Sequence, residues 1–190
     1  MQADQKKMPL VAAMLKYKKE QVYPFHTPGH KGGRGMEPLL AGELGEGALQ
    51  MDVSLMAELD DIHCPEGCIA AAQTLAAQLY GSDRCFFAVN GTTQAIQAML
   101  MTAVKPGGKV LIPRNAHRSV AGGLLLGDLE PVYVLPPFDA VFGINTQVTA
   151  GQIEEALQKD PSIKAVFLTS PNYYGQAADI KTIAQIAHKY

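Results

Sequence analysis

Three short polar clusters hold the side chains best suited to chemistry: Asn90-Gly91-Thr92-Thr93, Arg114-Asn115-Ala116-His117 and Ser170-Pro171-Asn172-Tyr173-Tyr174. Gly91 lets the backbone turn sharply, and Thr92 or Thr93 can cap a helix running on through Leu100 and Val104. Free amides at such a helix start, backed by the positive end of its dipole, form a cradle for phosphate or carboxylate, and the two hydroxyls add donors. The same residues would serve an ordinary capped turn equally well. His117 can lie flat over a planar ligand or shuttle a proton, and it can also simply cap a helix. Tyr173 and Tyr174 suit either ligand contact or packing. An anion cradle, an imidazole and tyrosines in one crevice would fit a phosphorylated aromatic cofactor.

The elements that would position these clusters alternate along the chain. Cys85–Val89 is short, apolar and aromatic-rich, the pattern of a buried parallel strand. Strands are predicted over Lys109–Pro113, Pro131–Leu135 and Ala165–Thr169, and helices over His117–Leu126, Thr149–Gln158 and Asp179–Tyr190. Thr149 and Gln152 have capping-box spacing. Upstream, Pro9 opens an amphipathic helix over residues 8–20, and Ile69–Tyr80 reads as a helix stopped by Gly81. Tyr23 to Gly47, rich in Gly and Pro, is expected to be irregular. The fold class is therefore α/β, a three-layer α/β/α arrangement around a mostly parallel sheet. In such folds ligands gather at the carboxyl ends of the strands, where all three clusters would lie.

Composition narrows the function classes. At 190 residues and 47% hydrophobic, the chain can bury one sizeable core. A net charge of −2 leaves no basic footprint for nucleic acid, and Lys16, Lys18 and Lys19 read as a solvated helix face. No apolar run reaches the roughly 18 residues of a membrane span, and no signal-peptide pattern opens the chain, so a cytoplasmic location is expected. Cys64, Cys68 and Cys85 are odd in number and read as free thiols. His63-Cys64 and Cys68 lack the second ligand pair of a zinc site, so no metal is expected. A dinucleotide-binding domain is disfavoured because no Gly-x-Gly-x-x-Gly opens the first helix.

Five motifs stand in one order: His26-Thr27-Pro28-Gly29-His30-Lys31-Gly32, Leu59-Asp60-Asp61-Ile62-His63, Asn90-Gly91-Thr92-Thr93, Pro113-Arg114-Asn115-Ala116-His117-Arg118-Ser119 and Thr169-Ser170-Pro171-Asn172-Tyr173-Tyr174-Gly175. Together, from about Pro9 to Tyr190, they resemble the ornithine/lysine/arginine decarboxylase family, pyridoxal 5'-phosphate enzymes of the aspartate-aminotransferase fold, in the branch without an N-terminal wing domain. The resemblance implies that Gly91, Thr92 and Thr93 bind the cofactor phosphate and that His117 stacks on the pyridine ring or transfers a proton. It assigns His26, His30, Lys31 and Tyr173 to a substrate or entrance loop. Where family members commonly carry an acidic residue, this chain has Ala70-Ala71-Ala72. Residues 1–60 would form an N-terminal helix and the glycine-rich active-site loop, and 61–190 the first half of the cofactor-binding large domain.

Decarboxylation in that family also needs a lysine bound to the cofactor as a Schiff base and an acid that keeps the pyridine nitrogen protonated. The resemblance places both after the final helix, so the chain is expected to be an N-terminal portion, incomplete at its C-terminal side and inactive alone. His188-Lys189 imitates the later dipeptide. Lys189, however, falls opposite the stripe of Ile180, Ile183 and Ile186 and should face solvent. The implied substrate is a small basic amino acid (arginine, lysine or ornithine), with amines of the polyamine type as products and a homodimer or higher oligomer as the assembly. The alternatives are another enzyme of this fold type, such as an aminotransferase or lyase, and a non-catalytic fragment that binds a full-length relative.

Overall fold

A computed structural model describes residues 4–190, which form two compact units, the first ending at Phe87 and the second spanning Ala88–Tyr190. The first unit is helical: α1 (Pro9–Glu20), α2 (Pro38–Leu44), α3 (Glu46–Leu49) and α4 (Cys68–Tyr80). Pro9 fixes the backbone of the first turn of α1, and Gln21 closes that helix in the left-handed region with φ 50°. Gly81, at φ 66°, does the same for α4. Helix α1 packs on α4, and Tyr17, Leu49, Leu59, Ile69 and Ala77 are buried in this unit. That packing places α4 in the first unit.

Part of the stretch expected to be irregular is helical. Glu37-Pro38 starts α2, with the Glu37 carboxylate accepting from the Leu40 N–H at 3.1 Å. An acidic cap followed by proline at the first helical position was a readable start signal that the Gly/Pro content obscured.

The second unit comprises α5 (Gly91–Ala103), β1 (Lys109–Pro113), α6 (Arg118–Leu126), β2 (Glu130–Val134), β3 (Phe138–Asp139), β4 (Ile144–Asn145), α7 (Ala150–Lys159), β5 (Ile163–Val166) and α8 (Ile180–Lys189). Strands β2, β1 and β5 lie in that order, all parallel, with Leu111 opposite Val132 on one side and Val166 on the other. Strand alternation sends Val110 and Ile112 to one face, where they pack with Leu100, Val104, Val120 and Leu124 of the α5–α6 layer. Leu111 points to the opposite face and meets Ile153, Leu157 and Ile183 from α7 and α8. The result is the expected three-layer α/β/α fold with a parallel sheet. Gly123 lets α6 approach α5 closely, since a Cβ there would stand 2.7 Å from Leu100 Cδ1. The capping box of Thr149 and Gln152 is formed.

One predicted strand is not formed. Cys85–Val89 belongs to no ladder, and Phe86 and Val89 are 76% and 67% exposed. Apolar pattern gives a segment β propensity, but a strand exists only where a neighbour satisfies its backbone groups, and among the described residues no segment pairs with this one. A short antiparallel pair, β3 with β4, was not anticipated; Asp139 Oδ1 accepts from the Val141 and Phe142 amides and shapes its turn. Strand β5 begins two residues earlier than predicted and ends at Val166, although the Phe167 N–H still bonds the Leu111 carbonyl at 2.9 Å.

Candidate functional site

Parallel strands place their carboxyl ends on one edge of the sheet, so the segments following Pro113 and Val166 emerge together. Helix α5 is joined to the amino end of β1 by residues 105–108 and lies along the sheet, with Leu100 and Val104 packed on Val110 and Ile112. Thirteen helical residues rise about 20 Å and five strand residues about 16 Å. The start of α5 is therefore carried back to the carboxyl edge, where Arg114–His117 and Ser170–Tyr174 also stand.

At that start the cap differs from the sequence expectation. Asn90 occupies the N-cap position, its own N–H bonded to Gln94 Oε1 at 3.1 Å, and no side chain caps the turn. Thr92 and Thr93 lie inside the first turn and do not act as caps, because Gly91, at φ 75°, makes the turn one residue earlier. Among the described residues, the amides of Gly91, Thr92 and Thr93 donate to no protein acceptor, and the space beside Gly91 Cα is open to at least 4 Å. Three exposed donors at the positive end of a 13-residue helix suit a phosphate.

His117 is the N-cap of α6. Its Nδ1 accepts from the Ser119 N–H at 3.2 Å and faces the Ser119 hydroxyl at 2.8 Å. Because an amide can only donate, Nδ1 carries no proton, and the neutral ring presents Nε2–H outward. Of the two roles posed on sequence, capping is the one observed, and it occupies only Nδ1. The Ser119 that holds it is buried and went unnoticed in the sequence as a supporting residue. Arg114, 5.2 Å from the Tyr133 ring centroid, adds a cation at the same edge.

The third cluster is shaped by Asn172. Its Oδ1 accepts from the amides of Tyr174 and Gln176, both at 3.0 Å, while Ser170 Oγ accepts from Ala178 N–H at 3.0 Å. Gln147 Nε2 clamps the loop by donating to the carbonyls of Thr169 and Gln176. Tyr173 is left 96% exposed, edge-on to Tyr174 at 5.4 Å. Lys189 is on the solvent side of α8 as expected, bonded to Glu154 at 3.3 Å.

The first unit holds His26, His30 and Lys31, and their polar atoms are used locally. His26 Nδ1 donates to the Thr27 carbonyl, so Nε2 accepts from the Tyr17 hydroxyl at 2.9 Å. His30 Nδ1 accepts from Gly33 N–H at 3.2 Å, leaving Nε2–H for Asp52 at 3.0 Å. The Lys31 ammonium donates to the His26 carbonyl. His26 thus ties the loop to α1, and His30 ties it to the segment after α3.

Asp60 organises the same unit. One carboxylate accepts from the amides of Asp61, Glu66, Gly67, Ile69 and Ala70, at 2.8 to 3.3 Å. It caps α4 from outside, because Gly67 at the N-cap has no side chain to do so. These bonds, that from Glu66 the largest, hold its pKa far below the ordinary 3.8. A depressed carboxylate contributes stability that is complete above its unfolded pKa and is lost as pH falls through the folded one. Asp60→Asn is accordingly expected to lower the melting temperature clearly at neutral pH, because an amide NH2 would face backbone donors. The gap from wild type should close as pH drops below 3.8; thermal melts followed by circular dichroism across that range check it.

The three cysteines are free thiols. Among the described residues no cluster of His, Cys, Asp or Glu could hold a metal, and no helix is long and apolar enough to cross a membrane.

Comparison with known proteins puts this geometry in context. The chain is 39% identical over 182 residues to an arginine decarboxylase of Bacillus cereus, covering 96% of this chain and 40% of that protein. It is 31% identical to a lysine decarboxylase of Hafnia alvei, covering 81% of this chain and 22% of that one. The chain thus spans well under half the length of these relatives. Among solved structures, the constitutive lysine decarboxylase of Escherichia coli superimposes with a TM-score of 0.71 at 30% identity, over 88% of this chain and 25% of that one. The Francisella novicida lysine decarboxylase gives 0.79 at 28%, over 94% and 27%. The family model described as Orn/Lys/Arg decarboxylase, major domain, matches residues 8–190, and the chain belongs to that family.

Proposed function

We propose that this chain supplies the phosphate grip and ring platform of a pyridoxal 5'-phosphate-dependent decarboxylase acting on a basic amino acid, with arginine, lysine and ornithine as the candidate substrates. The observation that carries the reading is the set of unspent amides at Gly91, Thr92 and Thr93 on the carboxyl edge of the parallel sheet. When bound, the cofactor supplies an electron sink for the pair left behind as the carboxylate departs. The first turn of α5 holds the phosphate through its amides, and the Thr92 and Thr93 hydroxyls lie in that turn. His117, its Nδ1 tied to Ser119, offers a ring of fixed orientation with a single proton at Nε2. Tyr173, wholly exposed on a loop braced by Asn172 and Gln147, is the entrance candidate. His26, His30 and Lys31 shape the glycine-rich loop of the first unit, and the intact enzyme assembles as a homodimer or larger oligomer.

Two lysines draw attention by their neighbours, and both are engaged otherwise: Lys31 with the His26 carbonyl and Lys189 with Glu154. Neither attaches the cofactor covalently in this reading, so pyridoxal 5'-phosphate should bind the purified chain reversibly and more tightly than unphosphorylated pyridoxal. Borohydride reduction followed by mass spectrometry tests this. Stoichiometric label on either lysine would contradict it.

His117 variants separate its two roles. Asn at this position keeps a capping oxygen and Ala does not, so His117→Ala should cost about 1 kcal/mol of stability and His117→Asn much less. Both should weaken cofactor binding by the same factor, since both remove the ring. Denaturant melts and equilibrium dialysis on the same preparations would show the split.

A further inference from the structure

The first unit contains a cleft of about 740 Å³ between the last turns of α1 and the glycine-rich loop, built entirely from residues of segment 15–53. Its volume lies in the range of small-molecule sites, roughly 300–1,000 Å³. The lining is charged in one direction: Lys18, Lys19, Lys31 and Arg34 stand against a single carboxylate, Asp52. Asp52 already faces His30 at 3.0 Å. The whole chain, by contrast, carries a net −2, so four cations around one concavity are a local concentration that composition does not explain. The Lys31 ammonium bonds a backbone carbonyl, which orders it without neutralising its charge. Arg34 stands 4.8 Å over the Tyr23 ring, a contact that favours one orientation of its guanidinium. Leu15, Val22 and Val53 add apolar surface to the lining.

We propose that this cleft binds a compact small-molecule anion carrying two or more negative charges. The four cations set the requirement for more than one charge, because a single carboxylate would leave the excess unbalanced. Arg34 can engage an oxyanion through two N–H groups, and Lys19 approaches it as a point charge. The inference uses no residue of the phosphate cradle in the second unit, although Lys31 belongs to the loop assigned above to the substrate entrance.

Calorimetric titration of the 190-residue chain with inorganic pyrophosphate at constant ionic strength tests it, run on wild type, Lys19→Gln/Arg34→Gln and Thr92→Pro. Saturable binding is expected in wild type and in Thr92→Pro, weakened about tenfold or more in the double variant. Succinate should bind as well, more weakly, and matched chloride should not compete. Lys19 and Arg34 are both exposed, and the single variants Lys19→Gln and Arg34→Gln should each show part of the loss if the double variant unfolds. Pyrophosphate binding that the double variant retains in full, or that only Thr92→Pro abolishes, would overturn the proposal, the latter while leaving the α5 cradle intact as an anion site. An absence of saturable heat in wild type would overturn it too.

Discussion

Replacing Thr92 by proline is expected to weaken pyridoxal 5'-phosphate binding by about tenfold or more while leaving α5 folded. Proline is tolerated in the first turn of a helix, where the missing N–H has no intrahelical partner. The preceding residue is Gly91, which has no Cβ to clash with the proline ring. What disappears is one amide donor to a charged phosphate, an interaction of about 1.5–3 kcal/mol, or roughly one to two orders of magnitude in affinity. Thr92→Ala keeps the amide and removes only the hydroxyl, so it should lose less. Fluorescence or dialysis titrations of the three proteins check the order. Equal losses in Pro and Ala would mean that the hydroxyl, not the backbone, holds the ligand.

The second large effect concerns the sheet that brings this turn to its place. Leu111 has no exposed surface and sits mid-strand on the face covered by α7 and α8. Leu111→Ala should cost about 2–5 kcal/mol, the lost transfer energy plus the cavity that Ile153, Leu157 and Ile183 cannot close. A domain is commonly stable by only about 5–15 kcal/mol, so this single change is expected to bring the second unit close to unfolding. Urea melts monitored by circular dichroism measure it. The midpoint should fall with little change in slope, whereas an unchanged midpoint would show that this face of the sheet is not the core described above.

Most elements were legible because their signals are local. Pro9 at a helix start, Gly81 at a helix stop and the Thr149–Gln152 box each act within one turn, and the structure places all three as read. The alternation of strand and helix also carried the parallel pairing of β1 with β2 and β5. Signals that depend on distant partners failed or were missed. The Cys85–Val89 run has a strand's composition, but hydrogen bonding decides strands, and it finds no neighbour among the described residues. Asp60 was quoted within a motif without a role, because the amides it gathers come from residues 61 to 70 in a loop conformation no periodicity encodes. The site was legible in part. Gly91 and its two threonines were placed at a helix start, yet Asn90 proved to be the cap. His117 was read as a choice between cap and ligand contact, and the Ser119 bonds establish the cap.

The most direct test follows the backbone amide signals of the 15N-labelled chain as pyridoxal 5'-phosphate is added, with pyridoxal as the control. Saturable shifts centred on Gly91, Thr92 and Thr93 are expected with the phosphorylated compound, and small or absent ones with pyridoxal. Shifts centred elsewhere, or the same at these three amides for both compounds, would contradict it.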